Sequence, residues 1–335
     1  MPDTLNRRWI LANRPTGLPD ETTFQLEEVP VAETGDGQVR VRTQWLSVDP
    51  YMRGRLRDAP SYAPPVQLGE VMVGGGVGEV VESRAAGFAT GDIVEGTFGW
   101  QTLATLDAQG LRKVDPSLAP VSTALGVLGM PGMTAYFGLT EAGQPKAGET
   151  VVVSAASGAV GALVGQIARI QGCRVVGIAG SEAKCAYVRD ELGFDAVVSH
   201  HDADLGGALA KACPQGIDVY FDNIGGAVQD SILPLINLHA RIVICGMIAE
   251  ANLTKPELAP RPTRHLLVKR ARMQGILVFD WLDRYPEGIA QMAAWIKEGK
   301  IRYREDVMEG FERLPSAFLR LFSGENFGKQ LVHVS

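Results

Sequence analysis

The stretch TVVVSAASGAVGALVGQIARIQGCRVVGIAGS, residues 150–181, decides the fold. It opens with three valines at 151–153, a β-branched run short enough for a buried strand. Small residues follow, and apolar residues then recur at helical spacing over 160–170. Gly172 stands where a glycine commonly ends a helix, and residues 174–179 predict a second buried strand. The order of strand, glycine-containing turn, helix and strand predicts a βαβ unit.

The turn in this unit has the spacing of a dinucleotide-binding G-x-G-x-x-G pattern, with Ala156 at the first place and Gly158 and Gly161 at the others. Gly158 lets the backbone approach a pyrophosphate, and Gly161 lets the helix lie close to the strand. The amides that begin the helix then face the phosphates. The alternative is an ordinary βαβ unit whose small residues serve packing alone. Spacing and context favour the dinucleotide site.

Composition describes a globular chain with enough residues for two domains. It has 335 residues, of which 46% are hydrophobic and 21% charged. The net charge of −6 argues against nucleic acid or an anionic membrane as a partner. No apolar run is long enough for a transmembrane helix, and the N-terminal residues show no secretory pattern. We therefore expect a cytoplasmic protein.

The four cysteines, at 173, 185, 213 and 245, fit neither a Cys-x-x-Cys pair nor a structural zinc site. Free thiols in a reducing compartment are the expectation.

The chain divides at about residue 127 by the period of its hydrophobic pattern. Residues 1–127 contain short strand candidates separated by Gly, Pro and Asp turns, which predicts a barrel-like β domain. Residues 128–301 alternate strands and helices, which predicts a doubly wound parallel sheet. Within this part we predict a helix over 205–212, a loop over the proline-containing segment 253–264 and a strand over 273–279. The tail returns to β structure at 329–334, after the last predicted helix, and is expected to pair with the first domain. The predicted class is α/β.

The second strand of the βαβ unit ends without the carboxylate that usually meets a free ribose 2′-hydroxyl. Gly180 offers space and an amide there, Ser181 a hydroxyl, and Lys184 a cation one turn further on. Because a phosphate dianion gains most from charge-assisted hydrogen bonds, these groups favour NADP(H) over NAD(H). A solvated surface lysine is the alternative for Lys184.

The glycine turn and five further motifs resemble one family, the zinc-independent medium-chain dehydrogenases/reductases. The six motifs are LSVDPYMR (46–53), GMPGMTAYFGL (129–139), AASGAVG (155–161), YFDNIGG (220–226), ICG (244–246) and ENFGK (325–329). They are most similar to the prostaglandin reductase and leukotriene B4 12-hydroxydehydrogenase group, which includes plant double-bond reductases and bacterial curcumin reductase. The resemblance runs over nearly the whole chain.

This resemblance implies a GroES-like catalytic domain at 1–127, completed by 302–335, and a Rossmann NADP-binding domain at 128–301. It also implies a homodimer joined through the Rossmann sheets. The implied activity is NADPH-dependent reduction of the carbon–carbon double bond of α,β-unsaturated ketones and aldehydes, with hydride added to the β-carbon and a proton to the α-carbon.

Carried over by position, the resemblance implies a set of coenzyme-binding residues. The pyrophosphate side comprises Gly158, Ala159, Val160 and Gly161, and the 2′-phosphate side Gly180, Ser181 and Lys184. The remaining contacts are Asn223, Cys245, Gly246, Met247, Ile276, Leu277, Val278 and Asn326.

Two positions depart from the family pattern. His200 stands where relatives place a tyrosine near the 2′-phosphate; it can donate there, although a surface His200–His201 pair is equally compatible with the sequence. No tyrosine follows the ICG strand, where many relatives have one near the position of Ala251. The hydroxyl that a tyrosine supplies is therefore missing at that place.

Catalytic zinc is not expected, because residues 1–172 contain neither cysteine nor histidine. Hydrogen bonds aimed at the substrate oxygen must then stabilise the charge that develops during reduction. The candidate donor is Tyr51, and a half-buried structural tyrosine is the alternative. Arg53 and Arg55 could position an acidic substrate, with solvated arginines as the simpler interpretation.

Three other activities stay open at this point. A quinone reductase of the same superfamily shares the glycine turn and the absence of zinc ligands. A non-catalytic NADPH-binding protein fits the missing tyrosine. Oxidation of a lipid alcohol is disfavoured, because neither a metal site nor an obvious base is present.

Substitution of Lys184 tests the coenzyme preference. We expect Lys184→Ala to raise the KM for NADPH far more than the KM for NADH, because only NADPH carries the 2′-phosphate. Steady-state kinetics with both coenzymes measure this, and equal effects on the two would contradict the assignment.

Overall fold

The computed structural model describes residues 4–334, apart from the side chain of Glu21. In chain order its strands are β1 (Leu5–Leu11), β2 (Phe24–Pro30), β3 (Gln38–Ser47), β4 (Gly75–Ser83), β5 (Ile93–Thr97), β6 (Leu103–Asp107), β7 (Arg112–Lys113), β8 (Thr150–Val153), β9 (Arg174–Ala179), β10 (Ala196–Ser199), β11 (Ile217–Asp222), β12 (Ile236–Ile244), β13 (Arg272–Gly275), β14 (Glu305–Glu309) and β15 (Lys329–His333). Its α-helices are α1 (Met52–Arg55), α2 (Met130–Phe137), α3 (Gly161–Ile170), α4 (Glu182–Ala186), α5 (Leu205–Ala212), α6 (Gly226–Ile232), α7 (Thr263–Lys269), α8 (Tyr285–Lys297) and α9 (Leu314–Ser323).

The chain forms two compact units. The first contains the described residues up to Leu125, Glu305–Asn326 and those from Gln330 onward, and the second contains Gly126–Arg304 and Phe327–Lys329.

The first unit is built from antiparallel strands. β1 pairs with β2, and a larger sheet has the order β14-β15-β3-β4-β5-β7, with β6 paired to β3. The glycine run that begins β4 serves close packing, since a Cβ at Gly76 would lie 2.3 Å from Phe98 Cδ2 and one at Gly78 would lie 2.2 Å from Arg42 O. These strands are consistent with the predicted GroES-like barrel.

Helix α9 closes the core of the first unit. Its buried residues Leu314, Ala317, Phe318 and Leu321 recur at i, i+3, i+4 and i+7, which places them on one face. Phe318 meets Phe24 and Trp100 edge-on, with ring centroids 5.9 Å apart in both pairs. The apolar stripe therefore decides how this helix packs.

The second unit is a six-stranded sheet with the order β10-β9-β8-β11-β12-β13. All five pairs of neighbouring strands in it are parallel. The order reverses between β8 and β11, which is the switch point at which doubly wound sheets bind their ligands. The predicted α/β class with a Rossmann sheet is confirmed.

Several predicted elements differ in the structure. The strand predicted over 273–279 was wrong beyond Gly275: the last pair is Ile244 with Gly275, and a 3-10 segment, Val278–Arg284, follows. An edge strand ends where its only partner ends. Helix α7 begins at Thr263, at the end of a segment predicted to be a loop. Helices α2 and α4 continue as π-helical turns, Gly138–Gly143 and Tyr187–Glu191.

No helix within the described residues has the length and apolar character needed to cross a bilayer.

Two helical glycines give a test of the packing in the second unit. A Cβ at Gly165 of α3 would lie 1.8 Å from Cζ of the buried Phe194, whereas one at Gly206 of α5 would have nothing within 4 Å. We expect Gly165→Ala to lower the free energy of unfolding by about 1–3 kcal/mol through overpacking. Gly206→Ala should raise it by about 0.5–1 kcal/mol, because alanine restricts the unfolded chain and favours helix. Urea denaturation measures both, and equal changes in the two variants would contradict this packing.

Candidate coenzyme site and candidate catalytic tyrosine

The glycine turn lies between β8 and α3, as the pattern predicted. A Cβ at Gly161 would lie 2.4 Å from Ala155 O and 3.0 Å from Ser154 O, so only glycine allows this approach of helix to strand. Gly158 is less restricted, with Ala155 O at 3.1 Å from its Cβ position. Ala155 itself has a left-handed φ of 49°. The turn is therefore compact, and its closest contacts are made by backbone atoms.

The amides that open α3 have no protein acceptor. Within the described chain, no hydrogen bond is made by the backbone N–H groups of Ala159, Val160 and Gly161. Val160, the residue before the helix, provides no capping side chain. Consecutive unpaired amides at a helix start suit an anion, since the helix dipole adds to their attraction. The residues present therefore fit a pyrophosphate.

The ends of β9 and β10 lie side by side, with Ser199 paired to Ala179. This register brings Gly180 and Ser181 next to the two histidines. A Cβ at Gly180 would lie 3.0 Å from His200 Cε1 and 3.7 Å from His201 Nε2. Ser199 Oγ donates to Gly180 O at 3.0 Å. The groups predicted for the 2′-phosphate side are thus brought together from two strand ends.

The groups around His200 determine its charge. Burial lowers the pKa of His200 below its usual value of 6.5, and His201 and Lys184 lower it further. At neutral pH His200 is therefore an uncharged imidazole that can donate one N–H. Ser181 caps α4 by accepting from Lys184 N at 3.3 Å, which fixes the first turn of the helix that carries the lysine.

The other predicted contacts of the second unit follow β11, β12 and β13. Asn223 Nδ2 donates to Ser154 O at 2.8 Å. Gly246 N donates to Asp222 O at 3.0 Å, and Ile276 N donates to Ile244 O at 3.1 Å. Because parallel strands end at one edge, these residues share the edge that holds the glycine turn.

The side chains at this edge differ in exposure. Met247 and Leu277 are exposed, whereas Val278 is buried. Burial raises the pKa of the Cys245 thiol to about 12, with Asp222 contributing. This thiol is uncharged at neutral pH and does not act there as a thiolate nucleophile.

Asn326 lies between α9 and β15 and is half-buried in the first unit. The next residue, Phe327, belongs to the second unit, where the Arg304 guanidinium lies 3.9 Å from its ring centroid. Gly328 has a φ of 92° and a Cβ there would lie 2.3 Å from Arg304 O, so this turn also requires glycine.

Tyr51 stands directly before α1 and packs partly buried against the core of the first unit. Burial raises the pKa of Tyr51 well above its usual value of 10; Asp49 and Tyr62 raise it further, and Arg55 lowers it. The phenol therefore keeps its proton throughout the physiological range and can donate a hydrogen bond. Asp49 is buried beside it and accepts a short hydrogen bond from Ser47 Oγ.

The interpretation of Arg53 as a solvated arginine was wrong. Its exposure is only 2%, and its Nη2 donates to Gly17 O at 2.6 Å. Burial, followed by the nearby Arg57, lowers the pKa of Arg53 to about 10. Arg53 therefore ties the 14–20 loop to α1.

One group of residues at the site was not found from the sequence. Asp222, at the end of β11, is fully buried and accepts hydrogen bonds from Ser154, Tyr220 and Gln229. The signal was a carboxylate that closes a buried apolar strand and is followed by a two-glycine turn.

Metal ligands do not gather in the part of the chain that the structure describes: no three His, Cys, Asp or Glu side chains there come close enough to hold an ion.

Two family models match the chain. One, described as the N-terminal domain of oxidoreductase, matches residues 7–114, and the other, described as zinc-binding dehydrogenase, matches residues 159–297. NADPH-dependent curcumin reductase of Escherichia coli is 50% identical, over 98% of this chain and 97% of that protein. The NADP-dependent 2-alkenal reductase of Nicotiana tabacum is 44% identical, over 98% of each chain.

A solved structure shares the whole fold. CurA of Vibrio vulnificus in complex with NADPH superposes with a TM-score of 0.94 and 47% identity, over 98% of this chain and 99% of that one. Identity of this degree over nearly the full length of each relative shows common family membership. The chain belongs to the zinc-independent medium-chain dehydrogenase/reductase family, in the group of its double-bond reductases.

Proposed function

We propose that the protein catalyses the NADPH-dependent reduction of the carbon–carbon double bond of α,β-unsaturated ketones and aldehydes. The observation that carries this is the near-full-length match to two reductases whose names specify NADPH or NADP. The acceptor-free amides at the start of α3 and the cationic corner after β9 supply the chemistry that such a coenzyme needs. When bound, NADPH supplies the hydride.

Each proposed coenzyme contact has a chemical reason in this chain. The amides of Ala159, Val160 and Gly161 bind the pyrophosphate, and Gly158 keeps the turn free of side chain. The remaining set is Asn223, Cys245, Gly246, Met247, Ile276, Leu277, Val278 and Asn326. Most of these residues lie just after a strand and would bind the coenzyme through backbone groups. Their side chains can therefore differ in polarity.

The 2′-phosphate is proposed to bind Gly180, Ser181, Lys184 and His200. Lys184 provides the cation and Ser181 a hydroxyl. Neutral His200 donates one hydrogen bond, and the approach of a phosphate dianion favours its protonated form, since opposite charge raises a histidine pKa. A tyrosine at this place gives a single neutral donor, so His200 makes the corner more sensitive to pH.

Tyr51 is proposed to donate a hydrogen bond to the substrate carbonyl oxygen. Negative charge develops on that oxygen as the β-carbon is reduced, and a fixed donor stabilises it. The raised pKa of Tyr51 suits this role because the phenol remains protonated. The proton for the α-carbon then comes either from this phenol or from a water molecule.

We also propose that the protein is a homodimer formed through β13, an outer strand of the parallel sheet. Exposed apolar side chains flank this strand at Leu267, Val268, Leu277 and Phe279. We also propose a cytoplasmic location, since all four cysteines are free, as expected in a reducing compartment.

A spectrophotometric screen tests the proposed activity. NADPH oxidation is followed with enals, enones, quinones and saturated ketones, with NADH in parallel. We expect turnover with trans-2-nonenal and benzalacetone, and little with saturated ketones. Turnover of quinones alone would assign the protein to the quinone reductases, and tight NADPH binding without any turnover would make it a binding protein.

Substitution of Tyr51 tests its catalytic role. Tyr51→Phe keeps the ring and removes the hydroxyl, and we expect kcat with an enone to fall at least about tenfold, one decade being about 1.4 kcal/mol of barrier. Tyr62→Phe is the matched control, because this neighbouring phenol is 51% exposed and competes with water; its kcat should stay within about twofold. An unchanged kcat in Tyr51→Phe would remove the residue from the mechanism.

A further inference from the structure

A buried carboxylate lies beneath the proposed coenzyme site. Asp222 has no exposed surface, yet its side chain accepts five hydrogen bonds. Four reach Oδ1, from Ser154 Oγ at 3.1 Å, Tyr220 Oη at 2.8 Å, and the amides of Ile224 and Gly225 at 2.9 Å each. The fifth runs from Gln229 Nε2 to Oδ2 at 2.9 Å. All five donors are neutral, so directed hydrogen bonds stabilise this charge.

The hydrogen bonds of Asp222 fix the turn that carries Asn223. The amides of Ile224 and Gly225 donate to Asp222 Oδ1, which lies inside the turn. Gly225 and Gly226 have left-handed φ values of 74° and 54°. Ser154 Oγ, which donates to Asp222, accepts from Asn223 N at 2.8 Å. The Asn223 side chain is held in turn by Ser154 O.

The backbone of Asp222 also forms hydrogen bonds to the residues that follow β12. Its carbonyl oxygen accepts from Cys245 N at 2.8 Å and from Gly246 N at 3.0 Å. One residue therefore joins the ends of β8, β11 and β12, and each of these ends carries proposed coenzyme contacts. None of Asp222, Ser154 and Gln229 is itself among those contacts.

We propose that Asp222 is a positioning residue for NADPH: its ionised carboxylate sets the orientation of Asn223 and of the 245–246 backbone at the coenzyme site. This inference rests on the proposed function. An acceptor is required at this position, because each of the five groups directed at it donates a hydrogen bond. Asparagine has the same shape but no charge, so its oxygen accepts more weakly from the four donors at Oδ1. Its N–H would point at Gln229, whose amide would have to rotate so that Oε1 accepts.

The other end of the same strand supplies a matched control. Asp218 accepts from Thr150 N on β8 and from Asn237 Nδ2, both at 2.9 Å. It thus joins β11 to β8 in the same manner, four residues away from the site edge. A residue that only stabilises the sheet should behave like Asp218.

Asp222→Asn and Asp218→Asn are compared by NADPH titration, steady-state kinetics and thermal unfolding, at a temperature where circular dichroism shows both folded. We expect Asp222→Asn to raise the Kd and KM of NADPH at least about fivefold and to lower kcat. Asp218→Asn should lower the Tm while its Kd, KM and kcat stay within about twofold of the parent protein.

A donor–acceptor exchange provides the rescue. In Asp222→Asn with Gln229→Glu, the amide introduced at 222 donates to the carboxylate introduced at 229, and we expect most of the NADPH affinity to return. If Asp222→Asn does not fold, Ser154→Ala removes the link to Asn223 N and should raise the Kd of NADPH without changing the KM of the enone.

Normal NADPH affinity in folded Asp222→Asn, or in Ser154→Ala, would overturn the proposal, as would equal losses in Asp218→Asn. These results are distinct from failure of the proposed function, in which the parent protein itself would not bind NADPH or would not reduce any enone.

Discussion

The approach of α3 to the end of β8 is the constraint on which the site depends. Only glycine fits at position 161, because a Cβ there would lie 2.4 Å from Ala155 O. Starting the helix so close to the strand leaves Ala159, Val160 and Gly161 with amides that no described group accepts. The first amides of a helix take their partners from outside the helix, and an anionic ligand suits them because the helix dipole adds to the attraction.

The parallel sheet then brings the rest of the site to this turn. Six strands end at one edge, and their following residues come from segments far apart in the chain. Lys184 and His200 meet at one corner, and Asn223 and the 245–247 segment meet at another. Beneath the second corner, Asp222 forms hydrogen bonds to the ends of three strands. Although this carboxylate has no contact with solvent, it therefore fixes the positions of residues proposed to bind the coenzyme.

Much of the fold was predictable because local patterns and tertiary packing agree. The βαβ unit, the bounds of α5 and the parallel order of the second unit follow from hydrophobic periodicity and glycine placement. Helix α9 was not predicted although Leu314, Ala317, Phe318 and Leu321 carry a helical period. The strand at 273–279 was predicted too long, because its end depends on where β12 ends and not on its own apolar residues.

The site was less predictable than the fold, since burial is a tertiary property. The sequence around Arg53 gives no sign that a charged group there is covered, and the structure leaves it 2% exposed. The network around Asp222 joins residues 68 positions apart, from Ser154 to Asp222, a relation that periodicity does not contain. By contrast, the coenzyme turn was found because its function requires glycines at fixed spacing.

A structure determined with bound NADPH tests the central claim most directly. The account predicts that the pyrophosphate oxygens accept hydrogen bonds from the backbone amides at 159–161, with the 2′-phosphate beside Lys184. A pyrophosphate bound elsewhere, with these three amides still lacking an acceptor, would contradict it.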